Sequence, residues 1–150
     1  MSLKDWAKNG WLRPHQTSAQ EIAGLLSIVD RDLEDAQSEI SADWQFGIAY
    51  NAALKLCTIL LHASGYRPEK KLQHFRTLSA LPLILGDERK VDGAYLEACR
   101  VKRNTVEYDL AGAATENDAA ELLVFAKRLR KETLDWLKHN HPHLIPKPKR

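Results

Sequence analysis

Apolar residues recur every three or four positions along almost the whole chain, the spacing that gathers them on one side of an α-helix, and no run is rich in β-branched residues or flanked by the Asn-Gly turns of a hairpin. The pattern predicts an all-α fold. A short amphipathic piece, Leu3 to Trp11, ends near Gly10 and Pro14. Thr17 or Ser18 then caps a long helix, with Glu21 placed for a capping box and a stripe of Ile22, Leu25, Val29, Leu33, Ala36 and Ile40. From Ala42 to Ser64 the chain is apolar around much of the helical circumference, which predicts the central element, stopped by Gly65 and Pro68. The segment "KKLQHFRTLSALPLILG" reads as a helix interrupted or ended near Pro82 and closed by Gly86. A fourth long element runs from about Glu88 to Tyr108. Gly112 and Thr115-x-x-Asp118 mark the start of the last one, which reaches about Lys138 on Ala119, Leu122, Ala126, Leu129, Thr133 and Trp136.

Short links between long helices imply antiparallel neighbours. The expected architecture is therefore an antiparallel up-and-down bundle of four long helices with short flanking helices. Its core should hold Leu26, Val29, Ile48, Ala52, Leu56, Ile59, Leu96, Cys99, Leu122, Leu129 and Trp136. Residues 1–16 read as a flanking segment, 17–140 as a single helical domain, and 141–150, ending in "PHLIPKPKR", as a mobile basic tail.

Composition narrows the function classes more than it selects one. A chain of 150 residues is long enough for a core without disulfide or metal staples, so Cys57 and Cys99, both in apolar surroundings, read as reduced core thiols. No apolar run is expected to cross a bilayer, and the opening residues lack the form of a secretion signal, which gives a cytoplasmic expectation with no membrane partner. A net charge of +2 does not announce a nucleic-acid binder, so any basic patch must be local. The scattered Trp6, Trp11, Trp44 and Trp136 read as packing aromatics. His139-x-His141-x-His143 is broken by Pro142 and lacks an acidic or Cys companion, and no zinc-spaced Cys pair, phosphate loop or Ser nucleophile elbow occurs; no metal or cofactor is expected.

The segment "CRVKRNTVEYDL" stands out. Leu96, Cys99, Arg103, Val106 and Leu110 follow three-four spacing, so Arg103 interrupts an apolar seam. A guanidinium there needs a partner: Glu107 four residues on, an acid on another helix, or a ligand. Asn104 and Tyr108 share a face, whereas Arg103 and Tyr108 lie about 140° apart on an ideal helix. They converge only if the helix ends or bends, or if a second copy of the chain supplies one of them across a two-fold axis.

These residues resemble those of the HEPN domains, compact helical bundles that usually dimerise. The family's marker is an Arg, often followed by Asn, and after four to six positions a His; a branch without the His reads Arg-x-x-Ala-Asp-Tyr. Arg103-Asn104-Thr105-Val106-Glu107-Tyr108 is similar to that branch, with Val for Ala and Glu for Asp. Tyr50, Ala52, Ala53, Lys55 and Gly65 match the family's central helix, and "LQHFRTLSAL" is similar to a segment that often starts with paired histidines, of which His74 is present. The resemblance covers roughly Ser41 to Leu137 and implies one of two activities. In a metal-independent endoribonuclease, Arg103 and Tyr108 of two subunits would form a composite cleft. A phenol titrates near 10 against about 6.5 for imidazole, so Tyr108 suits a general base poorly, and His62 or His74 are the candidate substitutes. In an RNA- or nucleotide-binding module of a prokaryotic toxin-antitoxin, defence or stress system, Arg100, Lys102, Arg103 and Asn104 would hold phosphate while Tyr108 stacks or bonds across the dimer. Such a module often partners a nucleotidyltransferase. Glu107, Asp109, Lys55 and His74 are secondary candidates, and a third reading makes the cluster an ion-pair network that fixes dimer register.

Overall fold

The computed structural model describes residues 1–108 and 111–146, without the side chains of Glu107 and Tyr108. Ser2 opens α1 (Leu3–Lys8) with a reciprocal capping box to Asp5, and β1 (Leu12–Pro14) follows. Then come α2 (Ala19–Asp35), α3 (Ala42–Ala63), β2 (Tyr66–Pro68), α4 (Gln73–Ser79), α5 (Leu81–Leu85), α6 (Lys90–Tyr108) and α7 (Glu116–Asn140), with 3-10 turns at Asp87–Arg89 and Pro142–Leu144. The molecule is mostly helical, as the periodicity predicts. The interruption expected near Pro82 falls at Ala80, and Pro82 sits in the first turn of α5, where its missing N–H leaves no bond unmade, with Gly86 at the end of that helix.

α3 is the hub. Ala49, Tyr50, Ala52, Ala53, Leu56, Cys57, Ile59, Leu60 and Leu61 are all buried, and the helix packs against α2, α6 and α7. Its length and apolar content are those of a membrane span, contrary to the expectation from sequence, yet 67% of that span is buried by the rest of the protein, as in a core helix. Burial pushes the Cys57 thiol up to about 12, which keeps it an inert packing group. Of the expected core, Leu26, Val29, Ala52, Leu56, Ile59, Leu96, Cys99, Leu122 and Leu129 are buried, while Ile48 and Trp136 pack at its edge.

Four expectations change. First, the chain has a two-stranded antiparallel sheet: Leu12 pairs with Pro68, Arg13 with Arg67 and Pro14 with Tyr66. Three-residue strands carry too little pattern to show in sequence, and this pair needs no tight turn because α2 and α3 lie between its strands. Second, α2 ends at Asp35, and Ile40 is exposed in the connection to α3. Third, Trp44 is 69% exposed rather than packed. Fourth, the tail is seated as far as Pro146: Leu144 is buried, Ile145 packs on the core, and the His141 ring meets Trp136 at 5.0 Å. Two consecutive apolar residues after a proline-started turn outweigh the basic composition; residues 147–150 lie outside the described part.

The capping of α2 also differs, with a consequence for pH. Ser18 accepts from the Glu21 backbone N–H at 3.1 Å, but the Glu21 carboxylate does not reach back to the cap. Instead its Oε1 accepts from Thr17 Oγ1 at 2.8 Å, His15 Nε2 at 2.7 Å and His62 Nδ1 at 2.8 Å, tying the segment after β1 and the end of α3 to α2. Burial pushes this carboxyl up, but the three hydrogen bonds outweigh it and hold the group at about 2, below the ordinary 4.5. A folded-state value below the unfolded one gives stability that is complete above about pH 4.5 and lost as pH falls toward 2. Acid unfolding followed by circular dichroism should therefore steepen in that window, and Glu21→Gln should remove the added slope; an unchanged profile in the variant would exclude the carboxylate as its source.

Candidate functional site

The one polar line on α3 explains where the surface chemistry collects. Gly47, Asn51, Lys55, Thr58 and His62 recur at helical spacing and are half-buried, while the residues around them are core. Beside the first half of this line α6 places Arg103. Together with Asn51, Asp43, Trp44 and Val106 it lines a cavity of about 290 Å3. Asp43 in the first turn of α3 accepts from the backbone N–H groups of Gly112 at 2.7 Å and Ala114 at 3.2 Å, which fixes the start of the chain after the undescribed Asp109 and Leu110 against the same rim.

The Arg103 guanidinium carbon stands 5.6 Å from the centre of the Tyr50 ring, so the cation that interrupts the apolar seam of α6 rests on an aromatic face rather than in the aliphatic core. Tyr50 is 1% exposed, and its hydroxyl has no hydrogen-bond partner among the described residues. Burial pushes this phenol up to about 12 against the opposing pull of Arg103 and Arg100, so it stays neutral. Arg100 holds Glu97 through a two-pronged pair at 2.7 and 2.9 Å. That pairing raises its own proton affinity despite partial burial.

Along the second half of the line, Lys55, Thr58 and His62 share a cavity of about 250 Å3 with Gln73 and His74 of α4. Burial lowers the proton affinity of His74, and Arg103, Lys55 and Arg100 lower it further. His74 is thus a neutral imidazole in a field of three cations.

The sequence candidates divide accordingly. Arg103, Arg100, Lys55 and His74 come together along the polar line of α3. Lys102 does not: its ammonium pairs with Asp118 at 2.9 Å and lines a separate cavity with Tyr95 and Cys99. Asn104 is half-buried on α6, about 100° around the helix from Arg103. Tyr108 ends α6, and its side chain, that of Glu107 and all of Asp109 lie outside the described residues. Asn51 and Asp43 were missed. Asn51 was legible in principle, because it stands one turn before Lys55 in a helix otherwise apolar there; Asp43 acts through a loop contact that no local spacing encodes. Among the described residues, the His and carboxylate atoms close enough to share a metal ion belong to His15, Glu21 and His62, not to the tail histidines. Comparison with family models, curated proteins and solved structures finds no match to this chain.

Proposed function

We propose that the chain is a HEPN-like module that binds the phosphates of RNA or of a nucleotide along the polar line of α3. In this reading the four long helices form an antiparallel bundle, two chains pair so that their Arg103 segments approach, and the module works in the cytoplasm of a prokaryote within a toxin-antitoxin, defence or stress system. A nucleotidyltransferase is the partner of choice. The observation that carries the reading is that Arg103 and Arg100 act on both Tyr50 and His74, with Lys55 beside His74 in the neighbouring cavity, along the half-buried line of α3. Guanidinium forks suit phosphate oxygens, Asn51 offers an amide in the same cavity as Arg103, and exposed Trp44 on its rim offers a stacking surface for a base.

The test is equilibrium binding of a fluorescent single-stranded RNA and of nucleotides to the wild-type protein over a range of salt. Micromolar binding that weakens steeply with salt is expected, each neutralised phosphate contributing a slope of about 0.7 on a log-log plot. Absence of binding at low salt, with RNA and nucleotides alike, would end the reading. Sedimentation should give twice the chain mass; a strict monomer would remove the paired-cleft version.

His74 gives the second reading, a metal-independent endoribonuclease, a specific footing. A neutral imidazole within the influence of Arg103 has a free lone pair to take a ribose 2′-OH proton at neutral pH, where a phenol is still protonated. Chelator-resistant RNA cleavage that disappears in His74→Ala would establish it, whereas binding without cleavage leaves the first reading alone.

A further inference from the structure

Away from the Arg103 cavity, His15, Glu21 and His62 bring two imidazole nitrogens and one carboxylate oxygen within 4.8 Å of one another. We propose that these three side chains form a site for a first-row divalent transition metal of the Zn2+ type. The donors come from three places in the chain: the turn after β1, the first turn of α2 and the last turn of α3. Each is positioned independently. The His15 backbone N–H bonds Gly65 O at 2.9 Å, the Ser18 cap fixes the start of α2, and His62 sits on the hub helix.

The separations fit a site that tightens on an ion. His15 Nε2 and His62 Nδ1 stand 2.7 and 2.8 Å from Glu21 Oε1, and tetrahedral ligands at ordinary zinc distances lie about 3.3 Å apart, so these two separations open by about half an ångström to admit the ion while the two nitrogens, within 4.8 Å of one another, settle to the same spacing. His15 belongs to a connecting turn rather than to a helix, so it is the ligand able to make that shift. In the metal-free protein each of those nitrogens carries the proton it donates to the carboxylate. With metal bound, each presents its lone pair instead and keeps its proton on the other ring nitrogen, His15 on Nδ1 and His62 on Nε2. Thr17 Oγ1, already bonded to Glu21 Oε1 at 2.8 Å, stays as an outer partner that orients the carboxylate.

The ligand chemistry selects the ion. Two imidazoles with one carboxylate suit Zn2+, Co2+, Ni2+ or Fe2+, not Mg2+ or Ca2+, which prefer all-oxygen sets. The side chains of His15, Glu21 and His62 keep 21%, 36% and 16% of their surface open, which leaves a coordination position for water. Three protein ligands plus water is the arrangement of an open rather than a sealed zinc site.

The test uses the full chain, stripped with a chelator and titrated with Zn2+ by calorimetry and with Co2+ by visible absorption. One equivalent per chain and the intense d–d bands of low-coordinate Co2+ are expected, together with a rise in melting temperature that EDTA reverses. His15→Ala and His62→Ala should each weaken binding by more than about a hundredfold, beyond what loss of an outer partner costs. Thr17→Val should cost about tenfold. A variant with His139, His141 and His143 all changed to Ala should still bind its single equivalent. Binding that vanishes in the tail variant and survives His15→Ala would overturn the proposal. So would six-coordinate aquo-like Co2+ spectra in the wild type, an outcome that needs no variant to fold.

Discussion

Arg103→Ala should lose nearly all RNA or nucleotide binding while melting within a degree or two of the wild type. The side chain is half-buried at a cavity wall, its guanidinium lies over the Tyr50 ring, and Asn51 faces the same space. A charge-assisted fork contributes more than a neutral hydrogen bond, and alanine supplies neither charge nor donor, so an affinity loss of at least about a hundredfold is expected, equivalent to about 3 kcal/mol. Arg103→Lys should recover only part of it, because a point charge does not reproduce the planar fork. The competing ion-pair reading makes the opposite forecast: removing one partner of a sealed pair costs about 3–5 kcal/mol of folding stability and leaves binding without a stake. Thermal denaturation beside fluorescence anisotropy separates them. A large drop in melting temperature with no change in RNA affinity would transfer Arg103 from the site to the scaffold.

Leu56→Ala carries the largest expected cost to stability, about 2–5 kcal/mol. Leu56 has no exposed surface and belongs to α3, the helix on which α2, α6 and α7 all pack, so the space it leaves lies inside a close-packed core. Urea unfolding is the measurement, with the midpoint falling and the slope unchanged. A loss well below 1 kcal/mol would mean that α3 is not the hub. Val91→Ala, at a residue 76% exposed, should change stability by no more than about 0.5 kcal/mol and serves as the comparison.

What the sequence revealed and what it hid follow from the range of the interactions involved. The long helices were legible because their signal is local and repeated: Ser18, Ser41 and Thr115 cap where their chemistry places them, and Gly65 and Gly86 take positive φ values of 96° and 120° at helix ends. Arg103 was legible as an exception to a seam. The pairing of Leu12 with Pro68 was not, since nothing near either residue specifies the other. Glu21 shows the limit most plainly. Its spacing from Ser18 suits a capping box, but His62, brought in from the far end of α3, competes successfully for the carboxylate. Lys102 looked equivalent to Arg100 and Arg103 along the chain, yet helical rotation turns it toward Asp118 on α7.

The small sheet governs timing more than energy. Its strands close a loop that contains all of α2 and α3, so the pairing is rewarded only after those helices have already met, and it should form on the native side of the folding barrier. Interactions made that late leave the folding rate nearly untouched and act almost wholly on the rate of unfolding. The first sixteen residues, with Trp6 and Leu12 buried against Leu61 and Ala80, thereby act as a latch on the lifetime of the native state. Deleting residues 1–14, which carry β1 and Trp6, would leave a protein that still folds at its usual speed but opens far more often.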